Sequence, residues 1–284
     1  MNKYKITIIT FLFTAICVNV FGQAKKYAFE VQKTGKGKQA IIFIPGFACS
    51  GEVWNETITK FEKEYNCYSL TMAGFAGVES QINPSFKNWE ISIVEFIKDN
   101  QINKPILIGH SMGGGLALAI ASDYPDLLSK IIVVDALPCL QALSNPNFKA
   151  NEENDCTATI NQMMEMTNDQ FYQMQKMSIP RLLEDSTMQE KVVSWSVKSD
   201  RKTFAEIYCD FWNTDLREKI KTIECQTLIL LESYFINIKP SIEEQYKNLK
   251  NINLEYANKG LHFIMFDDKE WYFNKLTNFL AIKQ

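Results

Sequence analysis

Two near-continuous apolar runs, Ile41-Ile42-Phe43-Ile44 and Ile131-Ile132-Val133-Val134, constrain this chain more than any other feature. A strand with no polar face must be covered on both sides, and parallel sheets flanked by helices provide that cover. Strand patterns fall at residues 27–32, 40–44, 68–72, 106–108, 131–134, 227–231 and 254–257. Helical patterns lie between or after them at 54–64, 86–100, 112–122, 241–249 and 268–282. This alternation predicts a doubly wound α/β sheet with helices on both faces. With 284 residues, 46% hydrophobic and 22% charged, the chain has the balance of a folded protein rather than a disordered one. The net charge of −3, with no block of Lys and Arg, speaks against a nucleic-acid partner.

One interval departs from the rhythm. Residues 137–225 carry no strand pattern, and they are polar, helical in composition and rich in methionine, including Met163, Met174 and Met188. They are expected to form a helical insertion, a lid whose adaptable inner face lines an apolar pocket, although plain core packing accounts for most such positions. The expected organisation is a signal segment at 1–24, a core at 25–136 and 226–284, and the insertion at 137–225.

Residues 1–24 read as a secretory signal. Lys3 and Lys5 precede an apolar run that is short for a membrane span, and Gly22 and Ala24 offer cleavage positions. Removal would leave a net charge of −5 and no stretch able to span a bilayer, so a secreted or periplasmic location is expected. Six cysteines would remain, Cys49, Cys67, Cys139, Cys156, Cys209 and Cys225, an even count that permits disulfides without assigning pairs.

The chemistry centres on Gly109-His110-Ser111-Met112-Gly113. The apolar run 106–108 precedes it, and Gly113-Gly114-Gly115 with a helix-forming run follows it. A strand turning sharply into a helix lifts Ser111 above the sheet edge in a strained conformation. A serine needs a base to become a nucleophile. The chain has two histidines; His110 is adjacent and is expected to point away, which leaves His262, between the last strand and the last helix. The histidine needs an acid. Asp135 ends the strand at 131–134, where the carboxyl ends of parallel strands face the crevice, and Glu232 after the strand at 227–231 is the alternative. Backbone N–H groups of Met112 and of Phe47, in the turn Pro45-Gly46-Phe47-Ala48, are the expected oxyanion donors.

The order Pro45-Gly46-Phe47, Gly109-His110-Ser111-Met112-Gly113-Gly114, Asp135, then Gly260-Leu261-His262-Phe263 resembles the α/β-hydrolase superfamily. The resemblance implies a mostly parallel eight-stranded sheet, a helical cap between strands six and seven, and a Ser–His–acid triad, with no metal or cofactor. Pro45 stands where many members carry histidine. Many members also place the acid after strand seven, whereas Asp135 matches those that place it after strand six. The implied activity is hydrolysis of a carboxylic ester on a small apolar acyl substrate. Amides, thioesters, carbon–carbon bonds, or slow ligand binding on the same fold are the alternatives.

Overall fold

The apolar runs become the centre of a seven-stranded sheet. The structure, a computed structural model, describes residues 27–281, so the expected signal segment at 1–24 lies outside the described residues. The strands are β1 Phe29–Gly35, β2 Gln39–Ile44, β3 Tyr65–Met72, β4 Ile106–His110, β5 Lys130–Val134, β6 Gln226–Leu231 and β7 Ile252–Tyr256. Their spatial order is β1-β3-β2-β4-β5-β6-β7. Strand β1 pairs antiparallel with β3, and every other pairing is parallel.

The resemblance implied eight strands; the described residues form seven. Among the described residues β1 is a sheet edge, and Glu30, Val31, Gln32 and Lys33 on it are exposed. Charged side chains on an outer strand discourage further pairing.

The helices are α1 Asn55–Phe61, α2 Phe86–Asp99, α3 Met112–Asp123, α4 Thr157–Glu165, α5 Asn168–Ser178, α6 Ser186–Val197, α7 Arg201–Trp212, α8 Lys239–Tyr246, α9 Ile264–Asp267 and α10 Lys269–Ala281. Strand side chains alternate between two cores. Ile42, Ile44, Leu107, Ile131 and Val133 face α2, α3 and α8, while Ile41, Phe43, Ile108, Ile132 and Val134 face α1 and α10. This period of two, buried on both faces, is why the runs carry no polar residue. Burying one such side chain contributes about 1.5–3 kcal/mol, whereas an exposed pair such as Lys239–Glu243 contributes about 1 kcal/mol or less. The core therefore dominates stability. On the second face Thr57 and Tyr272 join α1 to α10 through their hydroxyls at 3.1 Å. The buried Lys130 donates to the Phe279 carbonyl near the end of α10 at 2.9 Å, where a cation also suits the helix dipole.

Between β5 and β6 the chain forms α4 to α7 and no strand. Helix α4 packs on α7, and a disulfide between Cys156 and Cys209, 53 residues apart, joins them. Cys49, Cys67, Cys139 and Cys225 are free thiols. Burial pushes the Cys49 thiol up to about 12. A cross-link closing a loop of this size restricts the unfolded chain, so Cys156→Ser/Cys209→Ser is expected to lose about 2–4 kcal/mol in denaturant unfolding. Equal stability of the parent and the double variant would mean that the pair contributes no constraint.

Candidate active site

Steric demand explains the glycines around Ser111. A Cβ at position 109 would lie 2.1 Å from the Gly113 carbonyl oxygen, and one at position 113 would lie 2.3 Å from the Ile44 oxygen. Only glycine lets the turn from β4 into α3 close against β2. Ser111 itself holds φ 52° and ψ −121° as the N-cap of α3. That left-handed, strained geometry is fixed by its N–H donating to the Val134 carbonyl at 2.8 Å and its carbonyl accepting from the Gly115 N–H at 3.0 Å.

The loop after β2 abuts this turn. A Cβ at position 46 would lie 3.3 Å from that of Ser111 and 2.7 Å from His110 Nδ1. The Cys49 N–H donates to the Gly46 carbonyl, closing a tight turn in which Ala48 takes φ 56°. The ring of Phe47 contacts Phe75 and, from α7, Phe204 and Tyr208. Phe47 therefore anchors the loop between core and insertion. Met112 is the first residue of α3, whose N–H has no intrahelical acceptor.

Asp135 follows β5 in a left-handed conformation, φ 50°, and its N–H donates to the Leu230 carbonyl. Its side chain is 1% exposed. One carboxylate oxygen accepts from the Glu232 backbone N–H at 2.6 Å, and the other lies 2.6 Å from His262 Nδ1. Of the two carboxylates read from the sequence, Asp135 is the one brought to the imidazole by a hydrogen bond. Glu232 meets Asp135 through its backbone, and its side chain makes no hydrogen bond among the described residues. Burial, with the Asp135 charge beside it, pushes the Glu232 carboxyl up to about 7.

His262 lies in a braced loop. Gly260 takes φ 87°, and its carbonyl accepts from the Ser233 hydroxyl at 2.8 Å. Asp267 accepts from the Leu261 N–H and, across to the insertion, from the Glu184 N–H. The Phe263 N–H donates to the Leu182 carbonyl, a second tie between this loop and the insertion. Burial opposes charging His262, but the Asp135 hydrogen bond and charge, with Glu232 adding to them, outweigh it and raise its pKa above 6.5.

His110 is a residue whose part the sequence did not reveal. It is 1% exposed, and its Nε2–H donates to the His262 carbonyl at 3.0 Å. Its ring stands 4.6 Å from those of both His262 and Phe263. Burial, and then the neighbouring His262 charge, drives its pKa well below 6.5, so it stays neutral while supporting the His262 backbone. Only its place beside Ser111 could have hinted at this.

Ser111, His262, His110 and Phe47 border one cavity of about 420 Å³. Its remaining wall is mostly apolar and comes largely from the insertion, including Met163, Met174, Ile179, Leu182 and Val192. No Lys, Arg, Asp or Glu borders it. A second recess of about 560 Å³, beside Arg217, Glu218, Glu244 and Lys247, contains none of these residues. Among the described residues no group of His, Cys, Asp and Glu could hold a metal ion, and no helix is long and apolar enough to cross a membrane.

This fold and elbow define a class. Residues 39–230 match the family model of the alpha/beta hydrolase fold. The chain belongs to that family and is a hydrolase of it. It is 23% identical over 222 residues to a pimeloyl-[acyl-carrier protein] methyl ester esterase of Wigglesworthia glossinidia brevipalpis, covering 78% of this chain and 84% of the relative. The same-named protein of Aliivibrio fischeri strain MJ11 is 23% identical over 254 residues, covering 88% and 96%. Among solved structures, a thermophilic esterase from Thermogutta terrifontis superposes with a TM-score of 0.72 at 18% identity, covering 89% and 92%. The enol-lactonase of Burkholderia xenovorans LB400 superposes with 0.74 at 12%, covering 89% and 96%.

Proposed function

We propose that this protein is a serine hydrolase of carboxylic esters working through Ser111, His262 and Asp135. The observation that carries the reading is the 2.6 Å contact between Asp135 and His262 Nδ1, beside a cavity shared with Ser111. Asp135 keeps the proton of His262 on Nδ1, which leaves Nε2 free to accept. Ser111 Oγ attacks the ester carbonyl while its proton passes to Nε2. The N–H groups of Phe47 and Met112 receive the oxyanion, and the alcohol leaves with the proton from Nε2. Water, deprotonated by the same nitrogen, then attacks the acyl-enzyme, releases the acid and restores Ser111.

The esterase names of the relatives support an ester as substrate. The uncharged, mostly apolar cavity favours a neutral acyl chain over one ending in a free carboxylate, which would lose its hydration without gaining a cation. Residues 137–225 act in this reading as a cap that supplies the acyl wall. We further place the protein outside the cytoplasm, in the periplasm or secreted; the Cys156–Cys209 bond supports this, since disulfides persist in oxidising compartments.

Incubating the purified protein with p-nitrophenyl and methyl esters of C4 to C8 acids tests the reading. Release of acid and alcohol in equal amounts is expected. Faster cleavage of the matching amides or thioesters, or no turnover of any ester, would overturn it.

The pH profile gives a finer expectation. His262 accepts a proton only when neutral, so kcat/KM rises with pH through its raised pKa. Removing the Glu232 charge in Glu232→Gln takes away one of the groups favouring the imidazolium. The acid limb is therefore expected to move to lower pH. A limb that stays in place would show that this carboxylate does not act on the base.

A further inference from the structure

Four polar side chains, Gln175, Ser178, Ser196 and Tyr208, interrupt the apolar wall that the insertion gives to the cavity, and two of them are buried. Gln175 of α5 is 5% exposed and Ser196 of α6 is 3% exposed, and both border the cavity shared by Ser111 and His262. The Ser196 hydroxyl donates to Gln175 Oε1 at 2.8 Å. This bond uses the carbonyl end of the carboxamide and fixes which way the amide points. Its Nε2 keeps two hydrogens and has no acceptor among the described residues. Unlike the enclosed Gln245 Nε2, this nitrogen is reached from the cavity, where the acceptor of a bound molecule can take its hydrogens in place of water. Most of the cavity wall, including Met163, Met174, Ile179, Val192 and Phe204, carries no oxygen to accept, and the Ser178 and Tyr208 hydroxyls that also border the cavity make no hydrogen bond to the amide.

We propose that Gln175, oriented by Ser196, is a specificity-determining donor that selects esters bearing a second, uncharged acceptor oxygen in the acyl chain. The inference rests on the ester hydrolysis proposed above and names the substrate class for that site. The acceptor is a ketone, an ether or another ester carbonyl. A carboxylate is disfavoured because no Lys or Arg borders the cavity to balance it. A bond that served only to pin α5 to α6 would need one contact. It would not require an amide whose second half faces a substrate cavity.

The test compares p-nitrophenyl hexanoate with its 4-oxo and 5-oxo analogues, together with mono-p-nitrophenyl adipate methyl ester, as kcat/KM ratios. The parent protein is expected to favour at least one oxygenated ester by roughly tenfold, the worth of one well-made hydrogen bond in a dry site. Gln175→Met, of similar volume and without a donor, is expected to bring that ratio to about one. Ser196→Ala, which releases the amide from its fixed orientation, lowers the ratio as well and serves if Gln175→Met does not fold. A parent ratio near one for every analogue, or a ratio unchanged in either folded variant, overturns the inference while leaving ester hydrolysis standing. No hydrolysis of any of the esters overturns both.

Discussion

Ser111→Ala is expected to abolish ester turnover, lowering kcat by roughly 10⁵–10⁶-fold, while the protein keeps its fold. The size of the loss follows from covalent catalysis, in which no neighbouring group can take the place of the attacking oxygen. Water acting from the same cavity lacks the positioning of Oγ and leaves only the contribution of the oxyanion donors. The fold survives because alanine adds no atom. The Ser111 Cβ is already accommodated at φ 52°, and the two backbone hydrogen bonds that hold the turn do not involve the side chain. Initial rates on p-nitrophenyl butyrate, with thermal melting of both proteins, check this. A variant that melts like the parent and still turns over within tenfold would remove Ser111 from the chemistry.

Asp135→Asn is expected to cost about 10³–10⁴-fold in kcat with little change in KM. Asparagine has the same shape, and its oxygen can still accept the Glu232 N–H that now bonds Asp135 at 2.6 Å. Its amide nitrogen would then face His262 Nδ1. Two N–H groups cannot oppose each other, so the imidazole must carry its proton on Nε2 instead. That tautomer cannot accept from Ser111. Glu232→Gln, measured well above pH 7, is expected to stay within about threefold, because this side chain makes no hydrogen bond to the imidazole. The opposite ranking of the two variants would transfer the acid role to Glu232.

The central strands β2, β4, β5 and β6 were legible as apolar runs, since a strand buried on both faces leaves no choice of residue, whereas the outer strands β1 and β7, largely exposed or half-buried, gave weaker patterns. Ser111 was legible because glycines at 109 and 113 are imposed by contacts near 2 Å. His262 was singled out by elimination among two histidines, and the structure sets it against Asp135. Its carboxylate partner was harder to read. Asp135 and Glu232 end adjacent strands, and only three-dimensional register shows that one presents its carboxylate to His262 while the other presents its backbone N–H. The eighth strand came from the resemblance rather than from any run of residues, and no described segment forms it. The Cys156–Cys209 pair was hidden because spacing along a helical segment does not reveal which helices touch. Gln175 and Ser196 were hidden for the same reason: 21 residues apart, they meet only once α5 and α6 pack. His110 was set aside as a bystander, since its support of His262 spans 152 positions of sequence.

An activated serine reacts with a fluorophosphonate whatever its natural substrate, so labelling followed by peptide mapping tests the central claim most directly. The account predicts one adduct per chain, on Ser111, with labelling slowed by orders of magnitude in His262→Ala. An adduct on another residue, or undiminished labelling of Ser111 without that imidazole, would contradict it.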